Sequence, residues 1–102
     1  GYCPMGPVLL TADEAGHPDT FHLKTEVNGE IRQDSSCSAL IFDIPTLIET
    51  ISTGITLVPG DIIVTGTPVG VGIGFKPPVF LKKGDVVRVD ISPIGAIENV
   101  VE

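Results

Sequence analysis

The residues with most to offer chemically lie in one stretch, Thr65-Gly66-Thr67-Pro68-Val69-Gly70-Val71-Gly72-Ile73-Gly74. Its two hydroxyls and four glycines leave a great deal of main chain accessible. Backbone N–H groups and hydroxyls are donors suited to a carboxylate or an oxyanion. Glycine, lacking Cβ, lets a ligand come close to the main chain. On this reading Thr65, Gly66 and Thr67 form a binding edge that faces a cavity. A phosphate loop would need a Gly-Lys-Ser/Thr step or a helix to supply its dipole, and Phe75-Lys76-Pro77-Pro78 follows instead. Two further readings stay open on the residues alone: a bulge or tight crossing at a strand end, and a surface packed against a second chain.

Other groups capable of chemistry are sparse. Cys3 and Cys37 are too few for a disulfide framework or a zinc site and are expected to be reduced, buried thiols. Asp61 and Asp85 follow glycines in Gly-Asp turns, where Asp is a habitual turn residue. Asp13-Glu14 falls in a polar loop, and no Glu-x-Glu pair occurs. Hard cations need several oxygen ligands, and none can be assembled, so no metal ligand and no catalytic residue is assigned within the chain. His17 sits in a Gly-His-Pro loop and His22 on the polar side of a strand, neither with the partners an acid–base residue needs. Gln33, after the hairpin described next, either lines the site or is an exposed strand-end glutamine.

The elements that must hold these groups are mostly strands. Val8-Leu9-Leu10 reads as a short strand. Phe21, Leu23, Thr25 and Val27 alternate with His22, Lys24 and Glu26 as in a half-buried strand. Asn28-Gly29 predicts a type I′ hairpin turn, with a return strand from Glu30 to Gln33 and a polar connector from Asp34 to Ser38. Ile44, Leu47, Ile48 and Ile51 share one helical face, started by Asp43 and Pro45 and stopped by Gly54. That stripe is expected to pack on a sheet. Leu57–Val64 and Leu81–Val89 echo one another as Gly-Asp turns feeding apolar strands. Val87, Val89 and Ile91 face inward, and Ala96 to Val101 is the last strand. The expected architecture is β-rich α+β, a mixed β roll or sandwich with one covering helix.

Composition narrows the partners. The net charge is −7 with only six Lys and Arg, which argues against nucleic acid and against an anionic membrane surface. No apolar run reaches spanning length and no basic leader precedes one. An apolar fraction of 42% in 102 residues predicts that some apolar surface is covered by a partner. The chain starts Gly-Tyr-Cys-Pro without Met and close to an apolar run, so a piece of a longer protein is expected.

The ordered blocks Asn28-Gly29-Glu30…Gln33, the amphipathic helix, "PGDIIVTGTPVGVG" and "PPVFLKKGDVV", preceded by "CPMGP", resemble the C-terminal part of the fumarylacetoacetate hydrolase family over essentially all 102 residues. The resemblance favours the binding-edge reading. It implies a β roll that dimerises and a divalent ion, Mg2+ or Mn2+, that chelates a 2-oxo or β-diketo acid substrate. The implied reactions are C–C hydrolysis of acylpyruvates, isomerisation of dienedioates, or tautomerisation and decarboxylation of oxaloacetate. By the same resemblance Thr67 contacts the substrate carboxylate, Gly66 gives close approach and Thr65 is a neighbour. The family's carboxylate ligands, lysine and histidine lie upstream of the matched region. Residues 1–102 are thus expected to be one wall of an active site, inactive alone, in a cytoplasmic or mitochondrial enzyme. The reading from another class is a non-catalytic interaction module.

Overall fold

The computed structural model describes residues 3–102. The Gly1-Tyr2 start, read above as a mark of a longer chain, lies outside the described residues. The Asn-Gly pair organises the sheet: Asn28 takes φ +52° and Gly29 φ +81°, the two positive values that a type I′ turn requires. Strands β1 (His22–Val27) and β2 (Glu30–Ser36) flank it. β2 runs past its expected end at Gln33, because Asp34, Ser35 and Ser36 find partners in Lys24, Leu23 and His22. Only Cys37–Ala39 turns away, as a 3-10 turn. β3 (Val86–Ser92) pairs with β1 and β4 (Gly95–Val100) with β3, giving one antiparallel sheet of order β2-β1-β3-β4. This is the expected β-rich α+β class, which the chain expresses as a single four-stranded sheet.

Alternation gives the sheet two unlike faces. Leu23, Thr25 and Val27 stand opposite Ile91, Val89 and Val87 on one. The Pro4–Gly6 segment lies against part of that face, beside Val87, Val89 and Ile97. The other face carries charge: His22 bonds to Asp34, Lys24 to Glu26 and Arg88 to Asp90. Such a solvated ladder tells which side water covers.

Helix α1 (Ala12–Ala15) is a single turn. Helix α2 (Ile44–Ser52) starts where predicted, with the Asp43 carboxylate accepting from the Thr46 amide at 2.8 Å and Pro45 in its first turn. Its apolar stripe does not cover the sheet, contrary to expectation. α2 makes only marginal contact with any strand, Ile48 is exposed, and Ile44, Leu47 and Ile51 are half-buried.

Two predicted strands are absent. Val8–Leu10 and Ile62–Val64 are unpaired, with Leu9 95% and Val64 84% exposed. An apolar run becomes a strand only when a neighbouring strand accepts its hydrogen bonds, and within the described residues neither run has one. The echo behind that prediction is nevertheless real at the level of turns. The Val58 amide donates to Asp61 Oδ2 and the Lys82 amide to Asp85 Oδ2, each at 2.8 Å. Gly60 and Gly84 have φ +101° and +91°. The second turn delivers its strand beside β1; the first delivers its run to no strand among the described residues.

Among the described residues no hydrophobic side chain is fully buried. The radius of gyration, 15.2 Å, exceeds the roughly 13 Å of a compact chain this long. Among the described residues no helix is long and apolar enough to cross a membrane.

Candidate functional site

A register break in the hairpin builds the site. Counting outward from Val27↔Glu30, a regular hairpin sets Glu26 against Ile31, Thr25 against Arg32 and Lys24 against Gln33. Gln33 would then stand on the charged face. The observed register instead jumps from Glu26↔Ile31 to Thr25↔Gln33, so Arg32 is an extra residue in β2. A β-bulge re-aims the side chains beside it. Here both Arg32 and Gln33 end on the apolar face, where they line one cavity with Thr25 and Val87 from the sheet, Val71 from the glycine-rich loop and Phe80 from the segment after it. The cavity measures about 750 Å3.

Gln33 reaches from the bulge to the loop. Its Nε2 donates to Thr67 Oγ1 at 2.7 Å and to the Pro68 carbonyl at 2.9 Å. The direction is fixed by chemistry, since a carbonyl only accepts and the amide nitrogen must therefore face it. Thr67 Oγ1 accepts from that nitrogen, so its own hydroxyl proton points elsewhere and is free to donate. Among the described residues, the N–H groups of Thr65, Gly66 and Thr67 donate to no backbone carbonyl, and all three residues are exposed. The structure thus brings Gln33 and Thr67 together, with Thr65 and Gly66 just before Thr67 in sequence. These three loop residues do not line the cavity; Gln33 lines it and bonds to Thr67.

Sequence reasoning missed Arg32 and Phe75. The Arg32 guanidinium carbon lies 5.0 Å from the centre of the Phe75 ring, and the Arg32 side chain is only 16% exposed. Among the described residues its Nε is buried without a hydrogen-bond partner, and its carboxylate contact is Glu30, at 3.5 Å. Of the three glycines between Thr67 and Phe75, Gly70 and Gly72 are there for space, whereas a Cβ on Gly74 would meet nothing closer than 3.9 Å. A Cβ on Gly70, at φ +110°, would fall 1.8 Å from the Arg32 carbonyl oxygen, and one on Gly72 would fall 1.9 Å from that of Val79.

Asp85 plays the turn role expected of it and one more. It accepts from Asn28 Nδ2 at 2.9 Å, while Asn28 Oδ1 accepts from the Val86 amide. These bonds tie the hairpin tip to the start of β3. The Asn28 side-chain hydrogen bond, then that of the Lys82 amide, holds the Asp85 carboxyl below its usual range.

The remaining candidates stay apart. His17 caps a 3-10 turn through the Asp19 amide and His22 pairs with Asp34 on the charged face, both exposed. Cys37 is half-buried and Cys3 is exposed, so the expectation of two buried thiols holds fully for neither. Among the described residues no three His, Cys, Asp or Glu side chains gather as a metal site would need, so this donor set does not fit the divalent ion that the resemblance implies.

The model of the family described as "Fumarylacetoacetate (FAA) hydrolase C-terminal" matches residues 1–102. The chain belongs to the fumarylacetoacetate hydrolase family. It is 55% identical over 97 residues to the oxaloacetate tautomerase YisK of Bacillus subtilis, covering 95% of this chain and 32% of that protein. It superposes with TM-score 0.95 on a fumarylacetoacetate hydrolase from Exiguobacterium antarcticum, at 48% identity, covering 100% of this chain and 36% of the other. A maleylpyruvate hydrolase from Sphingobium sp. SYK-6, solved with manganese (II) and pyruvate, superposes with TM-score 0.85 at 43% identity, covering 98% and 35%. The chain spans about a third of the length of the curated relatives it matches.

Proposed function

We propose that residues 1–102 form the C-terminal part of the catalytic domain of an enzyme acting on 2-oxo or β-diketo acids. Thr67, Gly66 and Thr65 would receive the substrate carboxylate, and Gln33 would position Thr67. The observation that carries this reading is the orientation of Thr67. Its hydroxyl oxygen is occupied by Gln33, which leaves the proton to donate, next to main-chain amides with no backbone partner. Donors fixed in place before the ligand arrives stabilise negative charge better than donors that must reorganise. Family membership supports an enzyme rather than a free-standing interaction module.

For the whole enzyme we propose a divalent ion, Mg2+ or Mn2+, in keeping with the manganese of the maleylpyruvate hydrolase structure. Its ligands would come from outside these residues. A homodimer in the cytoplasm or the mitochondrion completes the reading. The exposed Leu9, Ile41, Val64 and Val69 support further protein packing here, from the rest of the domain or from a second subunit.

The reaction we propose is C–C bond hydrolysis of an acylpyruvate-type substrate. A second reading, keto–enol tautomerisation of oxaloacetate, is favoured by the 55% identity to a tautomerase. Product analysis separates them. The full-length protein, with Mg2+ or Mn2+, is given an acylpyruvate and, separately, enol-oxaloacetate. Release of pyruvate plus a carboxylic acid supports the hydrolase. Accelerated conversion of the enol to keto-oxaloacetate, with no pyruvate released, supports the tautomerase. Turnover of neither, and no isomerisation of a dienedioate, would leave the interaction module.

A further inference from the structure

We propose that the β2 bulge works as a clasp on the proposed substrate loop, with Arg32 and Phe75 as positioning residues that hold its far end while Gln33 holds its near end. The inference rests on the functional reading above for its consequence, though not for its geometry. Two consecutive residues grip the loop at three points. Gln33 bonds to Thr67 and Pro68; the Arg32 carbonyl abuts Gly70 at a separation that admits no side chain; the Arg32 guanidinium lies over Phe75. Only an inserted residue allows this, because regular alternation would send one of two neighbours to the other face.

The stack is the main tie on the Arg32 side chain. Its Nε has no partner among the described residues, and the Glu30 contact is long and made by a side chain that is 67% exposed. A desolvated guanidinium over an aromatic face is held more firmly than an exposed one, and its planar form is what lysine lacks. Between the grips the loop carries Gly70, Gly72 and Gly74, residues that restrict the main chain least. A 3-10 turn at Gly72–Gly74 and the Val79 amide, which donates to the Gly72 carbonyl at 2.9 Å, order part of it. The clasp fixes where that part sits before substrate arrives. Losing it makes the binding-competent loop only fractionally populated, so apparent affinity falls by that fraction while the bound complex is unchanged.

The test uses the full-length protein and two readouts. Hydrogen exchange of the amides between Gly66 and Phe75 should speed up roughly three- to tenfold in Arg32→Lys and in Phe75→Leu, the range expected for one cation–π contact. The double variant should be no faster than either single one, and Phe75→Tyr, which keeps the ring, should match the parent. KM should rise by a similar factor with kcat within about twofold. Exchange in α2 and β3 should not move, which separates a clasp from general loosening. Loop exchange unchanged in both single variants, or effects that simply add in the double variant, would overturn the proposal. If no 2-oxo acid is turned over, the functional reading fails, and the exchange cycle still decides the clasp.

Discussion

The carboxamide of Gln33 donates to the hydroxyl of Thr67 at 2.7 Å, across 34 positions of sequence. A β-strand bulge and a glycine-rich loop thereby become one unit. The bond sets the direction in which Thr67 can donate, and it exists only because the extra residue Arg32 turns Gln33 off the charged face. A one-residue change of register in β2 is thus coupled to the chemistry of a distant threonine.

Replacing Thr67 with Val tests the donor. Thr67 is exposed and Gln33 keeps its bond to the Pro68 carbonyl, so the melting temperature of the full-length protein should stay within a degree or two. KM for a 2-oxo acid should rise about tenfold or more, since a hydrogen bond to a charged group contributes roughly 1.5–3 kcal/mol. Unchanged kinetics would remove Thr67 from the site.

Replacing Gln33 with Leu acts on the same contact from the other side. The Pro68 carbonyl and the Thr67 hydroxyl both lose their donor, at about 1 kcal/mol each by the usual net worth of a hydrogen bond. Stability in urea should fall by about 1–2 kcal/mol and KM should rise. In combination with Thr67→Val the KM effects should be less than additive, because the two residues share an interaction. Full additivity would mean that Gln33 does not act through Thr67.

What the sequence made legible is what local rules decide. Asn28-Gly29 announces a turn, Asp43 and Pro45 announce a helix start, and Gly60-Asp61 and Gly84-Asp85 announce matching turns; all four form as read. Residue type and position mark Thr67 and Gln33 as candidates, but nothing in the sequence shows their mutual bond. The bulge was illegible because Ile31, Arg32 and Gln33 carry no alternation strong enough to show a slip of one residue. The Arg32–Phe75 stack joins positions far apart in sequence, which periodicity cannot reveal. Val8–Leu10 and Ile62–Val64 misled for the opposite reason: their composition suits strands, but a strand needs a neighbour that these residues do not supply.

The crowding at Gly70 gives a graded prediction. Gly70→Ala meets the Arg32 carbonyl oxygen at 1.8 Å with φ +110°, whereas Gly66→Ala, at φ +94°, and Gly54→Ala have nothing within 4 Å. Gly70→Ala should cost several kcal/mol, since main chain has to move and left-handed strain is added. Gly66→Ala should cost about 1 kcal/mol for strain alone. Gly54→Ala should be close to neutral. Denaturant midpoints of the three variants rank them directly, and equal midpoints for Gly70→Ala and Gly66→Ala would show that the loop does not press on β2.

The Asn28–Asp85 tie predicts an acid dependence. Hydrogen bonds from Asn28 and the Lys82 amide lower the Asp85 pKa in the folded protein. A carboxyl so lowered contributes stability that is fully present above its unfolded pKa, about 3.9. That contribution is lost as pH falls through the folded value. Asp13, Glu26 and Asp43 are lowered too, so the parent's own acid unfolding does not isolate Asp85. The difference between the parent and Asp85→Asn does. The parent should be the more stable by a constant margin from pH 7 down to about pH 5, and the margin should shrink below about pH 4. A margin as large at pH 3 as at pH 7 would mean that the Asp85 side chain holds the hairpin tip by shape alone, without its charge.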